Sequence, residues 1–399
     1  MKKLTGILAG VLLMYAASAQ ASQKIISFEA VSRDAIKKNV ERIGGKVTRQ
    51  FQLIDALVAV FPDNVKTPSI YSLKGVTKVE EDKHIKWIES SDLSMNSIPL
   101  PGLTEAMSMI TAGEGWAAPV LPAAKPEPDP EFPWGITRVN AAGAWSFTEG
   151  AGIKVAVIDT GVDFTHPDLA ENYVGGYNTI EPSLPPMDDH GHGTHVAGTI
   201  AAVRNAAGVV GVAPKASIYG VKVLDANGSG SYSNVMAGIE WAALNKMHVI
   251  NMSLGGGGAM EAMQKIITAA NKAGVAIVCA AGNDSGAVNY PAKYPESIAV
   301  SASDSTDKLA YFSSKGPEIA VIAPGVAIYS TVIGGGYKKM SGTSMACPHV
   351  AGLAALAIGA GANTPEKVRA ALTKAASILP GLQPTDQGAG LVDAAKLVN

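Results

Sequence analysis

Beyond Phe132 the chain alternates short apolar runs with longer helical stretches, and this alternation narrows its fold more than any other feature. "IKVAVID", "HVINMSL", "GVAIVCAAGN" and "SIAVSASD" are near-continuous apolar runs of strand length. "GTHVAGTIAAV", "SNVMAGIEWAALNK", "MEAMQKIITAANKAG" and "SMACPHVAGLAALAIGAG" read as helices. "TPEKVRAALTKAA" is another, with Thr364 as N-cap and Pro365 at the first helical position. Strands apolar on both faces and separated by helices imply an α/β fold, a mostly parallel sheet with helices on both faces. Sites in such sheets lie outside the carboxyl ends of the strands. Asp159 ends the first apolar run and Asn283 ends a later one.

The chain before Phe132 has a different character. Residues 24–89 read as a small α+β unit: "KIISFEA" and "ALVAVF" are strand-like, and "SRDAIKKNVERIGG" is a helix ending in glycine. "VTKVEEDKHIKWIE" reads as its closing strand. From Ser94 to Pro130, "PLPGL" and "APVLPAAKPEPDPEFP" are Pro-rich and expected to be extended linker. At the start, "MKKLTGILAGVLLMYAASAQAS" has the parts of a secretory signal: Lys2 and Lys3, the apolar Leu4 to Ala17, and a small-residue cleavage site. The apolar run is short for a membrane anchor. The expected division is therefore 1–21 signal peptide, 22–90 small α+β domain, 91–130 linker and 131–399 large domain. The expected location is extracellular, or periplasmic in a source with an outer membrane.

Composition excludes some partners. The chain is 47% hydrophobic and 17% charged, which reads as globular rather than disordered. A formal net charge of -2 with scattered Lys and Arg gives no field toward nucleic acid or an anionic membrane. Only Cys279 and Cys347 are present, so this is no disulfide-stapled scaffold; two buried free thiols are expected, with a single bond between them as the alternative.

Chemistry concentrates in four short stretches. "GTSMACPHVAG" places Ser344 before an apolar run, where a serine can be a helix cap or a nucleophile. "VAVIDTGVD" ends a strand in Asp159, "DDHGHGTHVAG" supplies His190, His192 and His195, and "CAAGND" supplies Asn283. Alone, Asp159 could be a turn aspartate and Asn283 a loop asparagine. A serine hydroxyl needs an adjacent imidazole to take its proton. The imidazole needs an acid to fix its tautomer, and the tetrahedral intermediate needs donors for its oxyanion. The chain holds each type, in the order Asp, His, Ser. Two rival readings remain: H-x-H-x-x-H at 190 to 195 also has the residue type of a zinc site, and the same scaffold could be an inactive binding protein.

With "VIDTGVD", "HGHGTHVAG", "AAGN" and "GTSMACPHVAG" in register over about residues 130–399, the chain resembles the subtilisin-like serine proteases. "GGKVTRQFQLIDA" and "VTKVEED" are similar to the inhibitor-type propeptide of the secreted members. The resemblance implies the subtilisin-like fold and a serine endopeptidase that cuts extended protein substrates through an acyl-enzyme. It implies a self-processed zymogen whose small domain is an intramolecular inhibitor, first cut between Lys86 and Ser94, working as a monomer. It assigns nucleophile to Ser344, base to His192, orienting acid to Asp159, and oxyanion donors to the Ser344 N–H and Asn283.

The same resemblance implies the binding residues. Ser253, Leu254 and Gly255, with Gly228, Ser229 and Gly230, would sandwich substrate as an added strand. Tyr232 would wall a more distant apolar pocket, and Gly282 would let a substrate side chain pass beside Asn283. "NDSGAVNY" is short for the family, and Asn289 replaces a smaller floor residue, so a smaller or more polar pocket is expected. "AAVRNAAGVVGVAP" has the length of the family's calcium loop; Asp168, Asn205 and the carbonyls of Val203, Ala207 and Val209 would hold the ion. Pro130 stands where the family has an amide side chain, with Asp129 as a possible substitute. His195, Pro348 and His349 are expected to be structural, Cys347 a buried small residue, and Asp163 and Asp189 solvated loop carboxylates.

Overall fold

A computed structural model describes residues 22–88, 132–205 and 207–398. The expected signal peptide and linker, with Asp129 and Pro130, lie outside the described residues. Two compact units are present, one of residues through Gln50 with Asp55–Asp82, the other of Phe51–Ile54 with Lys83–Asn399.

In the first unit, β1 (Ser22–Phe28), β2 (Lys46–Gln50), β3 (Ala56–Phe61) and β4 (Val76–Glu81) form an antiparallel sheet of order β2-β3-β1-β4. Helix Arg33–Arg42 is opened by Ser32, whose hydroxyl accepts the Ala35 N–H, and it buries Ile36 and Val40. These join Ile26, Phe28, Leu57 and Phe61 in a core of the unit's own. The expected closing strand is corrected here: β4 stops at Glu81, and Asp82 binds the main chain and side chain of Gln23 near the start of β1. β5 (His84–Lys86) belongs instead to the second unit.

The second unit is built on a nine-stranded sheet. Its strands are β6 (Lys154–Asp159), β7 (Tyr173–Asn178), β8 (Ser217–Lys222), β10 (Val249–Met252), β11 (Ala276–Ala280), β12 (Ser297–Ser303), β13 (Ile319–Pro324), β16 (Ala376–Ser377) and β17 (Leu391–Val392). Their order is β16-β17-β13-β12-β11-β10-β6-β8-β7, and only the β16–β17 pair is antiparallel. The central strands β10, β11 and β12 are buried throughout, as strands covered on both faces must be. β9 (Ser229–Ser231) lies outside this sheet, as does the hairpin of β14 (Ile328–Val332) and β15 (Gly336–Met340).

Helix Thr343–Gly359 is buried from Thr343 to Ala357 and packs on β10, β11, β12 and helix His192–Ala201. Its apolar character on every side is that of a helix through a core. The β14–β15 hairpin, not anticipated from "IYSTVIGGGYKKM", is tied to helix His192–Ala201 by Thr331 Oγ1 to the Thr194 carbonyl and Ser330 Oγ to the His195 carbonyl, both 2.8 Å. Among the described residues no helix is long and apolar enough to cross a membrane.

Register positions the site. Asn251 on β10 pairs with Val157 on β6 and Val278 on β11. Two residues further on, Asp159 ends β6 and Ser253 follows the end of the neighbouring β10.

Candidate active site

Asp159 ends β6 fully buried, and its Oδ1 lies 2.8 Å from Nδ1 of His192, also fully buried. Oδ1 further accepts the Thr160 N–H at 2.7 Å. A carboxylate held this way fixes the imidazole with its proton on Nδ1 and its Nε2 as the basic nitrogen. His192 is the first residue of helix His192–Ala201, and Gly191 before it turns through a φ of 98° that a side chain would resist.

Asp188 holds this helix start in place and was not singled out in the sequence. Its Oδ1 accepts the Thr160 hydroxyl and the N–H groups of His190 and Gly191; its Oδ2 accepts the N–H and hydroxyl of Thr194. An acidic residue just before a helix was the available signal. Asp189 is exposed, as expected of a loop carboxylate, and its Oδ1 also accepts at 2.6 Å from the buried Lys222, which donates to the Thr160 and Leu224 carbonyls as well. Asp163, expected to be solvated, is not: it is buried and accepts from the N–H and hydroxyl of Thr165 and from Gly334 N–H. Burial pushes its carboxyl up, but these bonds and nearby His166 outweigh it and hold the group below its ordinary range.

Ser344 is the second residue of helix Thr343–Gly359; Gly342, not the serine, is the N-cap. The serine is 6% exposed, and its hydroxyl donates to the Ser253 carbonyl at 3.1 Å. Asn283 Oδ1 accepts the N–H and hydroxyl of Thr343 at 2.8 and 2.9 Å, which turns its Nδ2 outward as a donor. A Cβ placed on Gly342 would lie 3.5 Å from that Nδ2 and 3.6 Å from the Ser344 nitrogen. Two donors thus border one bare spot beside the hydroxyl, the arrangement an oxyanion needs.

Two histidines of the H-x-H-x-x-H run take separate partners. His192 meets Asp159, while His195 Nε2 donates to the Ile328 and Lys338 carbonyls of the hairpin. Burial, then the nearby His192, pushes His195 down to about 3. His190 stands 6.2 Å from His192, ring centre to ring centre. Among the described residues no group of three or more His, Cys, Asp or Glu could hold a metal ion. Cys279 and Cys347 are free and buried. Burial first raises the Cys347 thiol well above its ordinary value, with Cys279 adding to it, as for a packed residue rather than a second nucleophile.

The expected binding segments form a groove, and β5 lies in it. β5 pairs antiparallel with β9, Ile85 opposite Gly230 and Lys86 opposite Ser229. The N–H groups of Trp87 and Ile88 donate to the Gly228 carbonyl at 2.9 and 3.2 Å. From the other side Gly255 N–H donates to the Trp87 carbonyl at 3.1 Å. Tyr232 is buried and meets the Trp87 indole edge-on at 4.9 Å, and that indole donates to the Gly230 carbonyl. Leu254, Gly282, Asn283, Asn289 and Ser344 line one cavity with Lys86, Trp87 and Ile88. Asn289 narrows it: a Cβ on Gly282 would fall 2.4 Å from Asn289 Nδ2.

Around Asp168, Oδ1 accepts from Asn205 Nδ2 at 3.0 Å, and Oδ2 from Val209 N–H and the Tyr337 hydroxyl, both at 2.9 Å. Asn205 Oδ1 accepts the Ala207 N–H, and Asp168 O accepts the Val203 N–H. Asp168, Asn205 and the carbonyls of Val203, Ala207 and Val209 are all-oxygen donors, which fits a hard cation in kind. The loop also closes tightly, since a Cβ on Gly208 would fall 2.2 Å from Asp168 Oδ2.

Comparison with known proteins finds relatives over most of the chain. The model of the Subtilase family matches residues 150–394. Subtilisin E of Bacillus subtilis (strain 168) is 40% identical over 338 residues, covering 83% of this chain and 77% of its own. Subtilisin of Bacillus pumilus is 50% identical over 232 residues, 56% of this chain and 83% of its own. Subtilisin Savinase of Lederbergia lenta is 49% identical over 226 residues, again 56% and 83%.

Proposed function

This chain belongs to the subtilase family and is a serine endopeptidase, and from that premise we propose that it cuts extended protein substrates through an acyl-enzyme, as an exported, self-processed, monomeric zymogen. The observation that carries the mechanism is the fully buried 2.8 Å contact between Asp159 and His192. The Ser344 hydroxyl turns from the Ser253 carbonyl to His192 Nε2 and gives up its proton as Oγ bonds to the substrate carbonyl carbon. The carbonyl pair moves to oxygen, where Asn283 Nδ2 and the Ser344 N–H meet it. His192 then passes its proton to the amide nitrogen as the carbon–nitrogen bond breaks. Water attacks the acyl group through the same imidazole and restores Oγ–H. Asp159 stabilises the imidazolium in each half. A serine-directed fluorophosphonate should label Ser344 in the presence of chelator, and Ser344→Ala should lose both label and hydrolysis. Hydrolysis surviving in Ser344→Ala would end this reading.

The groove's occupant supports the zymogen reading. β5 and Trp87 bond on both sides as an added substrate strand would. The first cut then falls beyond Ile88, within the stretch ending at Ser94. Mass spectrometry of Ser344→Ala made in a protease-free host should find it uncut; normal processing there would exclude self-cleavage. Asn289 in the cavity supports a preference for small or polar side chains before the cut, and a peptide library favouring large aromatics there would contradict it. For calcium, the Asp168 and Asn205 side chains, 3.0 Å apart beside the loop that carries Val203, Ala207 and Val209, support a bound ion, whose charge would tie the loop together. Chelation should then lower the thermal midpoint; an unchanged midpoint would remove the ion.

A further inference from the structure

Helix Thr343–Gly359 carries a proline at position 348, four residues after Ser344. In an α-helix the Ser344 carbonyl would take the N–H of residue 348. Proline has none, and its ring crowds the carbonyl four residues before it. An acceptor buried at this depth is costly to leave unpaired. Ser253 supplies the donor: its hydroxyl bonds to the Ser344 carbonyl at 2.8 Å. In return its own carbonyl accepts the Ser344 hydroxyl at 3.1 Å. Two bonds of opposite direction therefore join the nucleophile's residue to the end of β10.

Two more residues stand behind that exchange. Asn251 Nδ2 donates to Ser253 Oγ at 2.9 Å, and Cys347 Sγ donates to Asn251 Oδ1 at 3.2 Å. Asn251, Ser253 and Cys347 are all fully buried. Residues 251 and 253 share a strand face, and 344 and 347 share a helix face, so the chain of bonds closes on itself. With the Asn251 amide N–H donating to Ser253 Oγ, the Ser253 proton is directed to the Ser344 carbonyl. Cys347 fixes which way the Asn251 amide faces.

We propose that Ser253, oriented by Asn251 and Cys347, is a positioning residue that replaces the helix donor missing at Pro348 and thereby fixes the Ser344 main chain, oxyanion N–H included, to the strand beside Asp159. A carbonyl paired along its own helix would move with that helix. This one is anchored to the sheet that also carries the orienting acid. The inference rests on the reading of Ser344 as nucleophile.

The test compares full-length wild type, Ser253→Ala, Ser253→Thr and Ser253→Ala with Pro348→Ala, reading the fluorophosphonate labelling rate of Ser344 with kcat and KM on one peptide. Ser253→Ala keeps the main-chain carbonyl, so labelling and kcat should fall about 10- to 100-fold with KM within about twofold. Ser253→Thr should recover activity through its hydroxyl. Pro348→Ala restores the helix N–H and should recover part of the Ser253→Ala loss. Wild-type labelling in Ser253→Ala, a loss confined to KM, or no recovery in the double variant would overturn the proposal. If Ser253→Ala fails to fold by circular dichroism, Cys347→Ser should retain more kcat than Cys347→Ala; equal losses would overturn it too. An unlabelled wild type would instead sink the protease reading, and this inference with it.

Discussion

Helix His192–Ala201 and helix Thr343–Gly359 each place a reactive side chain in the first turn, yet the two N-termini are finished in opposite ways. The first is closed. Asp188 takes the N–H groups of His190, Gly191 and Thr194, and Thr160 Oγ1 takes that of Gly193. The second is left open. Its N-cap is a glycine without a side chain, Thr343 N–H goes to Asn283, and the Ser344 N–H takes no partner among the described residues. A helix start carries partial positive charge. Beside an imidazole that must become a cation, that charge is unfavourable, and a buried carboxylate offsets it. Beside an oxygen that must become an anion, it is favourable, and nothing stands in the way. Each end is finished for the charge its neighbour will carry.

The largest expected effect tests the open end. Asn283→Ala should lower kcat about 100- to 1000-fold, a magnitude known from subtilisin itself, with KM nearly unchanged. A loss in KM alone would break the comparison. Next, Gly342→Asp would add to the second helix the kind of cap that the first one has. Space is available, since a Cβ there meets only ordinary contacts of 3.5 Å and longer. We expect a fall in kcat of about 100-fold from a carboxylate set against the oxyanion, and a much smaller one for Gly342→Ala. Equal losses would make the effect steric rather than electrostatic.

Asp188→Asn should lower kcat about tenfold and stability by about 1–3 kcal/mol, because one amide oxygen cannot serve five donors. Denaturant unfolding would read the second figure. Acid stability is a separate readout, to which each helix contributes a buried histidine kept neutral by burial. Burial pushes His195 down to about 3 and His349 down to about 4, from an ordinary 6.5. Both fold as neutral rings and gain protons on unfolding. Their contribution is therefore complete above about pH 6.5 and is lost as pH falls toward 3 to 4, at up to about 1.4 kcal/mol per pH unit for each group. Unfolding midpoints that stay flat across that window would contradict the burial argument.

What the sequence made legible is what depends on neighbours in the chain. Apolar runs marked the strands β6, β10, β11 and β12, and the stretches around Asp159, His192, Asn283 and Ser344 carried the reactive residues. What stayed hidden depends on groups that meet only in space. The five donors of Asp188 come from Thr160, His190, Gly191 and Thr194, and no period in the sequence reports such a cluster. Asp163 looked solvated because its partner Gly334 lies in a hairpin turn far along the chain. "VTKVEEDKHIKWIE" looked like one strand because β propensity does not say which sheet a strand joins. Pro348 was visible, but the hydroxyl that compensates for it comes from another strand.

β5 reaches the groove as part of the same chain, and that tether decides how hard it competes. An occupant joined by a flexible link acts at an effective concentration set by the link's length, however dilute the protein. A cut beyond Ile88 turns it into a separate molecule whose hold weakens as the solution spreads. Control would then pass from covalent connectivity to the volume into which the protein is released.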